Sequence, residues 1–407
     1  MREETHWASV TAEEHIQMKE AQHIASMRNL FVRIRLWGLF VIMAVLLAGA
    51  ALGGDDQTDF RSVSGPCHLQ FPADHGAHPG FRTEWWYYTG NLTASSGERF
   101  GFQLTFFRRQ LRPGGATRDW PDPASAWRTN QVFLAHAALT DLTHQQHRMA
   151  EKMSRASLGM AGAVTSGRET RVFLQQWQTT ITPEAHTLSM TDPAFDLDLT
   201  LVPTQGPVAH GQDGYSRKGD LPEQASCYYS FPRMAVSGRV RVDATTYAVT
   251  GLAWMDHEFS TAPLAAGIVG WDWFSIQLDD GQELMLYFLR REDGGWQAAS
   301  SGSLIDAQGR VVHLALSDVE VRVTRRWTSP KTGARYPLGW EIILPGQNLK
   351  LALAAGLDNQ EMITTGSTGV TYWEGCIEVK GSVRGISVAG QGYMELTGYA
   401  DPYAPPL

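Results

Sequence analysis

The sequence predicts an exported, all-β protein made of two similar consecutive halves behind an amino-terminal leader. Three observations carry this. A single apolar run sits near the start, the rest of the chain alternates short strands with turn residues, and one tryptophan-rich hairpin pattern occurs twice.

The leader comes first. Leu36 to Leu52 is uncharged and apolar, with Arg28, Arg33 and Arg35 ahead of it and Gly53-Gly54-Asp55-Asp56-Gln57 behind. Ala48-Gly49-Ala50 offers the small residues that signal peptidase requires. Two readings fit. Met27 is the functional start and the segment is a cleaved signal peptide, or the segment is an uncleaved anchor at the short end of the ~17–25 residues that span a bilayer. In both, the arginines stay inside and the bulk of the chain is extracytoplasmic, in the periplasm or outside the cell. This assigns 1–55 to a leader, with a membrane contact if it is retained.

Composition narrows the function classes. Hydrophobic residues make up 43% of the 407 and charged residues 19%, so packed cores are expected rather than disorder. The net charge of -8 argues against nucleic acid, whose phosphates call for basic patches. Three dispersed cysteines, Cys67, Cys227 and Cys376, exclude a CxxC zinc knuckle and allow one disulfide of undetermined pairing.

Strand signals then follow in order. Phe100 to Phe106 alternates apolar and small or polar residues, the period of a half-buried strand. Val132 to Leu139 is apolar on both faces and reads as a central strand. A short helical turn is expected near 150–162. Val236–Val242 and Tyr247–Trp254 form a hairpin around Asp243-Ala244-Thr245, and Glu283–Leu289, Val311–Leu316, Leu349–Ala354 and Gly375–Lys380 are further strands. Long amphipathic helices do not alternate with them, so a sandwich or barrel is expected rather than an α/β fold.

The repeat links these strands. Glu84-Trp85-Trp86-Tyr87-Tyr88 runs through Leu92 to a turn at Ala94–Gly97, an apolar strand, and Arg108-Arg109. Trp271-Asp272-Trp273 runs through Leu278 to a turn at Asp279-Asp280-Gly281, an apolar strand, and Arg290-Arg291. A duplication of this kind divides the chain at 62–258 and 259–400.

Chemistry concentrates in Trp254-Met255-Asp256-His257-Glu258-Phe259. Alternation puts Asp256 and Glu258 on one face of a strand with Trp254, and His257 on the other. Only a bulge would bring Asp256 and His257 to one cavity. Asp272, between two indoles, is either a desolvated general acid or a residue on the opposite side from its tryptophans. Phe71 to Trp85 reads as a loop over a barrel mouth, with Arg82 or Glu84 pairing inside. His75 and His78 offer metal-ligand atoms without helical HExxH spacing. Tyr228-Tyr229 and Arg233 enter another strand, and GxSxG and phosphate-loop signatures are absent.

Four ordered motifs resemble the AttH and CrtC-type family of lipocalin-like proteins: FPADHGAHPGFRTEWWYYTGNL (71–92), YYSFPRMAVSGRV (228–240), GLAWMDHEFSTAPL (251–264) and GWDWFSIQLDDGQELMLYFLRR (270–291). The resemblance covers about 62–400 and implies two tandem lipocalin-like β-barrel domains. Its hydratase branch adds water to isoprenoid double bonds without a cofactor. A fungal branch cyclises polyenes, and the AttH branch, whose wording is nearest, is encoded with ABC-type exporter components. By motif match Asp256 and His257 stand where hydratases carry an Asp-His pair, and Phe259 stands where they carry Trp. Tyr287 matches a hydratase Tyr, but Phe288 and Leu289 supply no carboxylate beside it. That leaves Asp272 or Asp256 as proton donor.

The expectation is therefore a protein that receives an apolar, lipid- or polyene-like ligand and acts on it by acid catalysis as a hydratase or isomerase-type lyase, with no cofactor. Asp256, His257, Asp272 and Tyr287 are the catalytic candidates. Trp85, Trp86, Tyr88, Trp254, Phe259, Trp271 and Trp273 are the ligand-contacting aromatics. The alternative is a non-catalytic lipid carrier that partners an ABC transporter permease. A third reading is a metal-dependent hydrolase using His75, His78 and His257.

Overall fold

A computed structural model of the chain describes residues 60–113 and 125–404. The leader and its apolar run lie outside the described residues. Among those described, no helix is long and apolar enough to cross a membrane.

Alternating sequence becomes antiparallel sheet throughout. The first sheet opens with β1 (Thr83–Ala94), β2 (Arg99–Gln110), β3 (Gln131–Asp141), β4 (Gln146–Arg155), β5 (Ala161–Ser166), β6 (Glu169–Leu174) and β7 (Trp177–Ile181). It continues with β8 (His186–Thr191), β9 (Phe195–Pro203), β10 (Val208–Ala209), β11 (Tyr215–Arg217), β12 (Ala225–Val242) and β13 (Thr245–Ser260). The second holds β14 (Ile268–Leu278), β15 (Glu283–Arg291), β16 (Ser301–Ile305), β17 (Val311–Ala315) and β18 (Glu320–Thr328). Its remaining strands are β19 (Arg335–Leu344), β20 (Leu349–Ala355), β21 (Glu361–Thr364), β22 (Val370–Val383) and β23 (Ile386–Thr397). Where a helical turn was expected near 150–162, β4 runs to Arg155 and β5 begins at Ala161. Pairing of β4 with the apolar β3 overrides the weak local signal there.

Strand order reveals the repeat. The first sheet runs β4-β3-β2-β1-β13-β12-β9-β8-β7-β6-β5, and the second runs β17-β16-β15-β14-β23-β22-β20-β19-β18. Each therefore places its first strand between its second strand and its last. The first sheet curls until β5 and β6 reach β2, β3 and β4 without joining their ladders. The second stays an open half-barrel with β17 and β18 at its edges. The chain passes from one sheet to the other between Ser260 and Ile268. Both tryptophan hairpins turn at glycines with positive φ, Gly97 at 104° and Gly281 at 87°, conformations that L side chains rarely adopt.

Each sheet wraps its own apolar core. Phe100, Phe102, Leu104 and Phe106 of β2 pack with Trp86, Tyr88 and Trp177 inside the first. Phe274, Leu286, Trp340 and Trp373 fill the second. Every such side chain, fully buried, contributes about 1.5–3 kcal/mol. The alternate positions of β2 hold the surprise. Gly101, Gln103 and Thr105, expected to face solvent, lie beneath the second sheet, Gln103 and Thr105 each about 1% exposed. A Cβ on Gly101 would sit 2.8 Å from Cys376 Sγ, so glycine is what lets the sheets approach there.

The seam is fastened at a bulge. Pairing of β12 with β13 slips between Phe231 and Met234, where Pro232 has no N–H to give. Gln277 Nε2 of the second sheet donates to Pro232 O (2.8 Å) and Ala253 O (2.9 Å). Arg233 ion-pairs with Glu283 and donates to Leu278 O.

The disulfide joins Cys67 to Cys227 and leaves Cys376 free and buried. It closes a 160-residue separation, tying the segment ahead of β1 to β12. Restricting so long a loop in the unfolded chain stabilises the fold by about 2–5 kcal/mol. Urea melts with and without reductant should show that loss; superimposable curves would exclude it.

Candidate functional site

Strand β13 divides its motif between two compartments. Its pairing with β1 and β12 is uninterrupted at Asp256 and His257, with Tyr87 and Ser230 opposite Asp256, and Trp86 and Tyr229 opposite His257. Residues directly opposite in a ladder share a face. Asp256 therefore points with Trp254 and Glu258 toward the second sheet, and His257 points into the first. The bulge needed to unite Asp256 with His257 lies on β12 instead.

The layer between the sheets contains most of the expected site. Asp256 Oδ1 accepts hydrogen bonds from Ser230 Oγ and from Trp254 Nε1 (2.6 Å), and Oδ2 accepts one from Tyr228 Oη (2.7 Å). Trp273 Nε1 donates to the same tyrosine oxygen at 3.1 Å, reaching across from the second sheet. Burial pushes the Asp256 carboxyl up to about 7, against the pull of those three donors and with the help of the Glu258 charge. His210 bridges the layer, Nε2 to Ser230 Oγ (2.6 Å) and Nδ1 to Ser303 Oγ (2.9 Å). Burial lowers its imidazole to about 3, so it is neutral. Tyr287 faces the same layer, donating to Arg217 O (2.7 Å) and meeting Ser216 and Ser301.

Lys218 is the cation of this layer. Its Nζ lies 3.2 Å from Glu258, 3.9 Å from the Tyr287 ring centre and 5.1 Å from that of Tyr228. Burial works against its charge, but Glu258, together with Tyr287 and Asp256, outweighs it and raises the ammonium. Trp85, Trp254, Trp271 and Trp273 all pack here. They are four of the seven aromatics expected from the sequence to contact a ligand.

His257, Trp86, Tyr88 and Phe259 belong to the other compartment. Trp86 stacks on the His257 ring at 4.8 Å. His257 Nε2 meets Glu84 Oε1 at 2.9 Å, His78 Nδ1 meets that oxygen at 2.7 Å, and Arg108 Nε donates to Oε2 at 2.7 Å. Burial opposes ionisation of Glu84, yet His257, His78 and Arg108 together hold it well below the carboxylate range. Burial also opposes charge on His78, and hydrogen bonds to Asp74 and Glu84 overcome it and raise its pKa. His257 is lowered, chiefly by burial. Tyr88 bonds His186 (3.0 Å), and Phe259 stacks on His78 at 3.6 Å. His75 turns aside to Tyr229 (2.7 Å), so the expected trio of His75, His78 and His257 is replaced by His78, Glu84 and His257, whose ligand atoms lie within 4.8 Å of one another. The charges of Asp74 and Glu84 already match those of His78 and Arg108, which makes this cluster a self-balanced clamp.

Asp272 is separate again. It lies opposite Phe288 and Leu396, inside the second sheet, while Trp271 and Trp273 face the first. Arg290 approaches at 3.2 Å and Tyr399 Oη donates at 2.9 Å. Burial raises its carboxyl to about 6 despite Arg290. It is desolvated as well as turned away from its tryptophans, and it does not join Asp256.

Comparison with known proteins follows from this geometry. An AttH-like family profile matches residues 62–399. The chain belongs to the AttH-like family. A crystal structure from Nitrosomonas europaea, provisionally assigned as AttH, is 34% identical, covers 84% of this chain and 100% of its own, and superposes with a TM-score of 0.73. Kievitone hydratase from Nectria haematococca is 14% identical, covers 84% of this chain and 98% of its own, and gives a TM-score of 0.60. CghA with Sch210972 gives 13%, 85% and 97%, with 0.52. The last two share the fold. No functionally curated protein sequence matches.

Sequence reasoning missed Lys218, His210, Glu374 and Glu395, which sit in this AttH-like chain far from any motif. Only the folded arrangement, loops for Lys218 and His210 and strand register for the two glutamates, brings them to the layer that holds Asp256.

Two outcomes test these electrostatics. Glu84→Ala would strand the fully buried Arg108 charge and destabilise the fold by about 3–5 kcal/mol in urea melts; a change under about 1 kcal/mol would contradict the clamp. Asp256 remains protonated in the native state to about pH 7 but ionises near 3.8 when unfolded. Its folded pKa is raised, so the native state binds the extra proton in that window and stability falls as pH rises through it, by at most ~1.4 kcal/mol per pH unit. Asp256→Asn should remove that slope, and a variant with the wild-type pH dependence would show the carboxyl ionises normally.

Proposed function

We propose that this AttH-like protein binds an apolar, isoprenoid- or lipid-like ligand between its two sheets and acts on it as a cofactor-free hydro-lyase or isomerase. One observation carries the reading. A carboxyl group pushed up to about 7 is held at the face of one sheet among Trp254, Trp273, Tyr228 and Tyr87. A protonated carboxylic acid can give its proton to an alkene carbon, and aromatic faces steady the cation that results. The named activity of the structurally similar kievitone hydratase supports the reaction class.

The residues divide the work. Asp256 is the acid, and Tyr228, Ser230 and Trp254 hold it in place and stabilise the carboxylate left after transfer. His210, through Ser230, positions it further. Lys218 and Tyr287 lie at the Glu258 side of the layer, where the ammonium over the rings orders that wall. The amino-terminal leader delivers this site outside the cytoplasm in the proposed scheme, and the disulfide suits an oxidising compartment.

The test uses a hydrophobic extract of the native host, incubated with purified protein in H2(18)O and followed by mass spectrometry. A new species carrying the heavy oxygen is expected, at a rate that falls as pH rises through about 7 because the acid must be protonated. Asp256→Asn should lower it by about 10²–10⁴-fold. Bound lipid released unchanged by wild type and variant alike would favour the carrier reading, with a permease as partner.

A further inference from the structure

Strand order makes Asp256 and Glu395 topological counterparts. Asp256 lies on the last strand of the first sheet, opposite Tyr87 of its first strand. Glu395 lies on the last strand of the second, opposite Trp273 of its first strand. Tyr87 and Trp273 meet edge to face at 5.2 Å, so the two carboxyls look into the same layer from opposite sides. Glu395 has a neighbour that Asp256 lacks: Glu374 is its direct cross-strand partner. Both glutamates are raised, first by burial and then by charge, Glu374 by that of Glu395 and Glu395 by that of Glu258. Trp271 Nε1 and Thr397 Oγ1 hold Glu395 Oε1, each at 2.9 Å.

A second observation points to a ligand. Five buried polar atoms on the facing sides of this layer have no partner in good hydrogen-bonding geometry: Glu374 Oε1, Tyr87 Oη, Thr89 Oγ1, Gln103 Oε1 and Tyr393 Oη, although the Tyr87 and Tyr372 hydroxyls lie close enough to Glu374 to temper the rise of its carboxyl. The residues of those five atoms are at most 5% exposed. Register places them on facing sides of one layer, Tyr87, Thr89 and Gln103 on adjacent strands of the first sheet and Glu374 and Tyr393 on adjacent strands of the second. Unsatisfied buried groups are costly, and a fold concentrates them where something polar is to be received.

We propose that Glu374 and Glu395, with Tyr87, Thr89, Gln103 and Tyr393, form a hydroxyl subsite that receives the water of a hydration, or the alcohol of the reverse reaction, opposite Asp256. This rests on the reaction class proposed above for the same layer. In the hydration direction the Asp256 proton and the alkene π pair form a C–H bond, leaving a cation on the neighbouring carbon. The water oxygen, held by the acceptor atoms of the subsite, bonds to that carbon, and the proton it loses goes to solvent. Exchange with solvent then returns a proton to Asp256. The acceptors select an uncharged hydroxyl on an otherwise apolar ligand.

The experiment compares linalool, a tertiary isoprenoid alcohol, with myrcene, a hydrocarbon of the same carbon number, by titration of tryptophan fluorescence in wild type, Glu374→Met and Asp256→Asn, with Tm measured alongside. Wild type should prefer linalool by on the order of tenfold. Glu374→Met should abolish that preference and raise Tm, because methionine replaces a buried carboxyl whose Oε1 is unsatisfied with an apolar chain of similar length. Asp256→Asn should keep the preference, so failure of the acid reading leaves this result standing. The subsite is overturned if wild type binds neither probe or both alike, if Glu374→Met keeps the preference, or if its Tm falls.

Discussion

Everything in this protein depends on two sheets being pressed together by faces that carry aromatic and polar side chains side by side. An antiparallel sheet ordinarily buries one face and wets the other. Here each curled sheet buries its apolar face in its own core, and around β1, β2 and β13 of the first sheet and β14, β22 and β23 of the second it also gives up its other face to the opposite sheet. Gln277, Arg233 and the β12 bulge fasten that contact, and Gly101 lets it close. Groups that water would otherwise have satisfied must find partners across the seam. Most do, through the chain from Trp273 to Tyr228 to Asp256 and the His210 bridge.

From this constraint comes the chemistry. A carboxylate on a wetted face would ionise in the ordinary range. Asp256 is held among indoles and phenols, where burial, reinforced by the Glu258 charge, favours its protonated form. The first compartment shows the opposite solution. Glu84 is equally buried, but His257, His78 and Arg108 converge on it and keep it ionised. Two carboxyls on adjacent strands thus have opposite states, set by which face of the sheet they occupy. The paired Asp-His in the motif therefore splits in two: Asp256 is the acid of the proposed reaction, and His257 belongs to the cluster that clamps the loop at 71–82 to the strands.

Much of this was legible in the residues. The turn glycines and aromatic alternation located both hairpins, and strand periodicity correctly set Asp256 and His257 on opposite faces. The repeated hairpin anticipated a strand order that the two sheets share. Val132–Leu139 showed its two buried faces in its apolar run, but the burial of both faces of β2 was not legible, because Gln103 and Thr105 are the polar positions of what reads as a half-buried strand. Nothing local says that a second sheet covers them. Glu374 and Glu395 stayed hidden for the same reason: each is an isolated acid in an alternating strand, and only the β22–β23 register makes them neighbours.

The central claim is that the inter-sheet layer keeps Asp256 protonated near neutrality. Infrared spectroscopy of the protonated-carboxyl C=O stretch reads it directly, as the difference between wild type and Asp256→Asn across a pH series. The account predicts a band present at pH 5 and titrating away at about 7 in the wild type, absent from the variant. Identical spectra for the two proteins across that range would contradict it.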